Sequence, residues 1–164
     1  MRNLVIYILG AAALLAVLVF VAGGGLRRAE QTASAGVLLA EEREVDFGTV
    51  PMGNGTVTRR FSVQNIGAEP LLINNVYTSC MCTTAYVEDT AGKRYGVFGM
   101  PGHQARASAN IAVGAGKRVF VDAVFDPAAH GPAGVGFAER SIYLETNAQK
   151  SPKVELRFTA IVTK

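Results

Sequence analysis

The chain has 164 residues with 16 basic and 13 acidic side chains, 18 glycines and no tryptophan, a length suited to one domain plus an appendage. Arg2, Arg27 and Arg28 account for the whole net charge of +3, so everything after them is electrically balanced. A balanced body has no basic footprint for phosphate backbones, which excludes nucleic acid as an expected partner.

Leu4 to Gly25 is apolar and carries no charge. As a helix it would reach about 33 Å at about 1.5 Å per residue, enough for a hydrocarbon core of about 30 Å. A cleaved signal peptide has a shorter apolar region with small residues close behind it, whereas Ala33-Ser34-Ala35 lies far downstream. Residues 1–28 therefore read as a single N-terminal transmembrane helix with flanking basic residues, its partner the lipid bilayer along Leu4 to Gly25. Arg2 flanks one end and Arg27 and Arg28 the other. A short basic tail before an apolar run is how export signals begin, so the expected location is the cell membrane, single-pass, with the domain on the extracytoplasmic side. Residues 29–43 are small and polar and read as a tether. Residues 44–164 are the expected folded domain.

From Glu44 onward, runs of four to eight residues alternate in polarity between turn formers, the pattern of short strands. Val45, Phe47 and Thr49 make the first, ended by Pro51 and Gly53-Asn54-Gly55. Asn54-Gly55-Thr56 fits a glycosylation sequon, but Asn-Gly is also a strong turn pair, and the turn is the expectation. In Thr56 to Gln64, Val57, Arg59, Phe61 and Val63 share a face, and Asn65-Ile66-Gly67 turns the chain. Leu71 to Tyr77 leads to the cysteines and Thr84 to Glu88 continues beyond them. Asp89-Thr90-Ala91-Gly92 predicts a hairpin that returns Arg94 to Phe98. Gly99 to Ser108 is expected as a loop. Asn110 to Val113 and Val119 to Phe125 read as strands across a Gly114-Ala115-Gly116-Lys117 turn. The glycine-rich run through Gly136 reads as a connection, followed by strands at Ser141 to Thr146 and Val154 to Val162. Seven to nine short strands predict an all-β, antiparallel two-sheet sandwich.

Cys80 and Cys82 are the only cysteines. In an extended strand, residues i and i+2 point to one face, so both thiols would face one way and Met81 the other, into core packing. Their Cα atoms would stand roughly 6.6 Å apart, near the upper limit of about 6.8 Å for a disulfide. A local disulfide, a soft-metal site, a thiol-exchange pair and plain buried packing are all compatible with that spacing. Zinc would need two further ligands, with His103 and His130 the only histidines. Copper(I) accepts two or three soft ligands, so the cysteines with Met52, Met81 or Met100 would suffice. The candidate metal ligands are thus Cys80 and Cys82, with Met100, His103 and His130 as further candidates, and the alternative is a Cys80–Cys82 disulfide. No hydrolytic constellation is visible, and Gly-Ala-Gly-Lys at 114–117 lacks phosphate-loop spacing. The basic doublets, Arg59-Arg60 among them, read as solvated surface.

Phe47-Gly48-Thr49-Val50 with Gly53, then Phe61-Ser-Val-Gln-Asn65-Ile-Gly67-Ala-Glu-Pro70-Leu-Leu-Ile73, then Ser79-Cys80-Met81-Cys82-Thr83, then Phe125-Asp126-Pro127 with Gly131, resembles the bacterial family called domain of unknown function 1573. The resemblance runs roughly from Glu44 to Thr163, and Met81 stands where the family usually has glycine. It implies an immunoglobulin-like fold similar to major sperm protein and Hydin-type modules, on an exported or membrane-tethered protein without assigned activity. Two functional classes follow. One is a membrane-tethered, non-enzymatic binding or structural module that meets an unknown protein partner. The other is a copper(I)-binding or thiol/disulfide redox protein that uses Cys80 and Cys82.

Overall fold

The computed structural model describes residues 33–103 and 108–164. In chain order the strands are β1 (Leu38–Ala40), β2 (Glu44–Pro51), β3 (Val57–Asn65), β4 (Leu71–Thr78), β5 (Thr83–Asp89), β6 (Arg94–Phe98), β7 (Ser108–Val113), β8 (Arg118–Phe125), β9 (Gly136–Thr146) and β10 (Lys153–Thr163). They form two five-stranded sheets, ordered β1-β3-β8-β5-β6 and β2-β10-β9-β4-β7. The architecture is the expected all-β two-sheet sandwich. Among the described residues no helix is long and apolar enough to cross a membrane, and the anchor expected over residues 1–28 lies outside them.

Alternation builds the core. In β3, Phe61 and Val63 face inward, and in β8 Val119, Val121, Ala123 and Phe125 do the same. Opposite them Ile73 and Val76 of β4, Ile142 and Leu144 of β9, and Leu156 and Phe158 of β10 are fully buried. Phe158 ties the layers together, meeting Phe47 edge-on at 4.9 Å and Phe125 at 5.3 Å between ring centroids. The Asp89 turn closes as expected: Gly92 has φ of 81°, and the Asp89 carboxylate accepts from the backbone N–H groups of Ala91 and Lys93.

Four features depart from the sequence reading. Part of the segment read as a tether is sheet: β1 pairs antiparallel with β3, Leu38 opposite Asn65, and Leu38 and Ala40 are buried. Asn65 holds it there, its fully buried amide accepting from the Val37 and Gly67 N–H groups and donating to the carbonyls of Glu69, Val113 and Gly114. Gly67 permits the close approach, since a Cβ at that position would sit 2.6 Å from the Gly36 Cα. Second, the sandwich is not wholly antiparallel, because β2 runs parallel to β10 at a sheet edge. Third, β9 begins at Gly136 rather than Ser141 and pairs with β10 from Gly136↔Val162 to Glu145↔Lys153. Fourth, the cysteines are not in a strand. Ser79 to Cys82 is the turn between β4 and β5, closed by the Thr83 N–H donating to the Cys80 carbonyl at 3.1 Å.

Candidate metal centre

The β4–β5 turn crosses from one sheet to the other, so its sulfurs lie at an end of the sandwich where both layers can reach them. Several short bonds hold it. The Thr78 hydroxyl lies 3.0 Å from the Cys80 carbonyl and 2.9 Å from that of Thr83. Ser79 N–H donates to the Ser141 carbonyl, and the Ser141 N–H donates back to the Ser79 hydroxyl, both at 2.9 Å. The Asp126 N–H donates to the Cys82 carbonyl at 2.8 Å, which pins the start of the β8–β9 connection against the turn.

Despite the turn, the thiols converge. Their sulfurs lie 2.8 Å apart, and both cysteines are free thiols. Cys82 is buried at 2% exposure and Cys80 half-buried. Met81, expected in the core, is 50% exposed, because the turn throws it outward as it draws its neighbours together. Its backbone does not adopt positive φ, so methionine is accommodated in this turn without strain.

The β8–β9 connection returns His130 to the pair, its Nε2 3.1 Å from the Cys80 Sγ. Donor atoms of Cys80, Cys82 and His130 all lie within 4.8 Å of one another. His103 lies outside this group, exposed in the loop after β6, where its N–H donates to the Met100 carbonyl. Met100 is half-buried in the same loop.

A fourth residue at the pair is Arg140, which no sequence motif marks. It occupies an inward-facing register of β9 with Ala138, Ile142 and Leu144, and its Nε donates to the Cys82 Sγ at 3.0 Å. One terminal nitrogen donates to the Glu139 carbonyl at 2.7 Å. Among the described residues no carboxylate lies within ion-pair distance of it. The inward alternation of Ile142 and Leu144, carried back one step, was the available signal.

These contacts make the thiols unequal. Burial pushes the Cys80 thiol up, but hydrogen bonds from the Cys82 thiol and N–H and from His130, with the charge of Arg140, outweigh it and hold it at about 7. Burial pushes the Cys82 thiol up, and its role as donor to Cys80 adds to that, against the opposing bond from Arg140. Cys80 is thus the first to ionise, and Cys82 shares its proton with it. Two soft sulfurs and one imidazole nitrogen form a donor set for a soft cation. Sulfurs about 2.3 Å from one ion stand roughly 3.8 Å apart at a tetrahedral angle, so loading would swing the half-buried Cys80 outward rather than the buried Cys82.

Comparison with known proteins finds a family resemblance over part of the chain. Residues 38–94 match the family model described as protein of unknown function (DUF1573). The match contains β1 to β5 and the cysteine turn but ends before His130 and Arg140, so half of the cluster lies beyond it. No curated protein matches the chain by sequence. Among solved structures, a protein of unknown function from Porphyromonas gingivalis is 18% identical with a TM-score of 0.57, over 82% of this chain and 51% of that one. The VesB protease of Vibrio cholerae is 12% identical with a TM-score of 0.50, over 87% of this chain and 35% of its own. An ASH/PapD-like domain of human CEP192 is 14% identical with a TM-score of 0.45, over 77% and 85% of the two chains. The chain therefore spans about half of the Porphyromonas protein and a third of the protease, and the likeness is one of fold.

Proposed function

We propose that this immunoglobulin-like domain is a non-enzymatic, membrane-tethered extracytoplasmic module that binds one copper(I) ion through Cys80, Cys82 and His130. The observation that carries the reading is the convergence of those three donors from two separate connections at the end of the sandwich. Copper(I) is satisfied by two or three soft ligands, where structural zinc takes four. The half-buried Cys80 and exposed His130 leave the ion an entry path, while the buried Cys82 shields it from water. Tethering rests on the uncharged run from Leu4 to Gly25, and protease protection in intact against lysed cells tests it, full protection in intact cells contradicting the extracytoplasmic placement.

Titration of the chain with copper(I) against a chromophoric copper(I) chelator tests the binding. The expected result is one copper per chain, with the affinity lowered at least a hundredfold by Cys80→Ser or Cys82→Ser and at least tenfold by His130→Ala. No copper retained by the wild-type chain would overturn the proposal.

One observation favours a second reading, the 2.8 Å sulfur gap. The Cys80 thiolate would attack a partner disulfide and expel one partner thiolate, after which Cys82, losing its proton, would attack the Cys80 sulfur and expel the other. The pair would end oxidised and the partner reduced. Loss of two hydrogens in the intact mass after exposure to a small aromatic disulfide, without a persistent adduct, would mark this activity.

A further inference from the structure

We propose that Arg140 sets the charge of the cation that the sulfur pair accepts, favouring a monovalent soft ion over a divalent one. This rests on the metal-binding reading above and adds its selectivity. The geometric basis is an arginine at an inward-facing register of β9, donating to the buried Cys82 Sγ at 3.0 Å with no carboxylate in ion-pair reach among the described residues. One of its terminal nitrogens donates to the neutral backbone carbonyl of Glu139. The acid nearest in sequence to His130, Asp126, accepts instead from the Ala128 N–H, and Glu139 faces outward toward Arg157.

The charges then decide. Two thiolates with copper(I) or silver(I) and a neutral imidazole carry one net negative charge, which the guanidinium cancels. Two thiolates with zinc(II) or cadmium(II) are neutral, so Arg140 would remain as an uncompensated positive charge beside a second cation. A partly buried charge without a partner is costly, and the cost falls on the divalent complex alone. The ligand count acts in the same direction, since the three donors leave a tetrahedral divalent ion one protein ligand short, but that deficit is independent of residue 140. Substitution at Arg140 therefore isolates the charge effect.

The experiment measures silver(I) and zinc(II) affinities by competition with chelators, on the full chain and on Arg140→Gln, Arg140→Met and Arg140→Lys. Gln keeps a donor without charge, Met keeps bulk without either, and Lys keeps the charge. The expected result is that the ratio of silver to zinc affinity falls at least tenfold in the Gln and Met variants and stays within about threefold of wild type in the Lys variant. Equal loss of both affinities would reveal a purely structural arginine and overturn the inference while leaving the metal site standing. An unchanged ratio in either neutral variant that keeps the wild-type circular dichroism would overturn it as well. Failure of the wild-type chain to bind either ion would instead remove the metal reading on which it rests.

Discussion

Arg60 and Arg140 sit in adjacent layers of one sandwich and solve opposite problems. Arg60 lies on the outer face of β3, its guanidinium gripping Asp122 of β8 through two bonds of 2.7 and 2.8 Å and Glu88 of β5 at 3.0 Å, with Phe120 beneath it. Two carboxylates raise its pKa further above the ordinary arginine value, and the arrangement braces three neighbouring strands. Arg140 lies on the inner face of β9 with sulfur where a carboxylate would be expected. A charge placed inward costs desolvation unless something repays it. A compensated arginine belongs to the scaffold, while an arginine facing two thiols leaves a charge to be met by what those thiols become.

The contrast can be broken at several points. The largest expected effect is on copper: Cys82→Ser, which keeps an oxygen acceptor for Arg140, should lower copper(I) affinity at least a hundredfold while thermal stability changes little. A fall in both together would mean that Cys82 only packs. Next comes thiol reactivity. With Cys80 ionising at about 7, below the ordinary thiol value of about 8.5, its thiolate fraction is about half at pH 7 and saturates by about pH 8. The alkylation rate should therefore climb between about pH 6 and 8 and then level, with Cys80 modified at least tenfold faster than the buried Cys82 in peptide mass mapping. A rate still climbing through pH 9 would contradict the contacts assigned to Cys80.

Smaller effects separate the two arginines by stability. Arg60→Met leaves Asp122, 7% exposed, without its charged donors and should cost about 1 to 3 kcal/mol in urea unfolding. Arg140→Met strands no carboxylate and relieves a desolvated charge, so it should lie within about 0.5 kcal/mol of wild type or above it. Equal costs for the two would erase the distinction between bracing and compensating arginines.

Much of this was legible in the residues. Strict alternation in Val119 to Phe125 and turn chemistry at Asp89 to Gly92 placed β8 and the β5–β6 hairpin, because those segments obey local rules with nothing competing. The sulfur pair stood out as the only cysteines, and His130 was among its candidate partners. The failures share a cause, tertiary contacts overriding local pattern. β1 is three residues long and owes its strand to Asn65 from another part of the chain. The first half of β9 was hidden because Gly136, at φ of 117°, looks like a loop residue and Arg140 puts a charge where the inward alternation wants an apolar side chain. The residue that obscured the strand is the one that meets the sulfur. Period-two reasoning at Cys80 and Cys82 placed both thiols together for the wrong reason, since a turn rather than a pleat does it.

X-ray absorption at the copper edge, on the chain loaded with one equivalent of copper(I), reads the ligands of the ion themselves. The account predicts a copper(I) spectrum with two sulfur scatterers and one imidazole, the imidazole signal vanishing in His130→Ala. A first shell without sulfur, or one in which His130→Ala changes nothing, would contradict it.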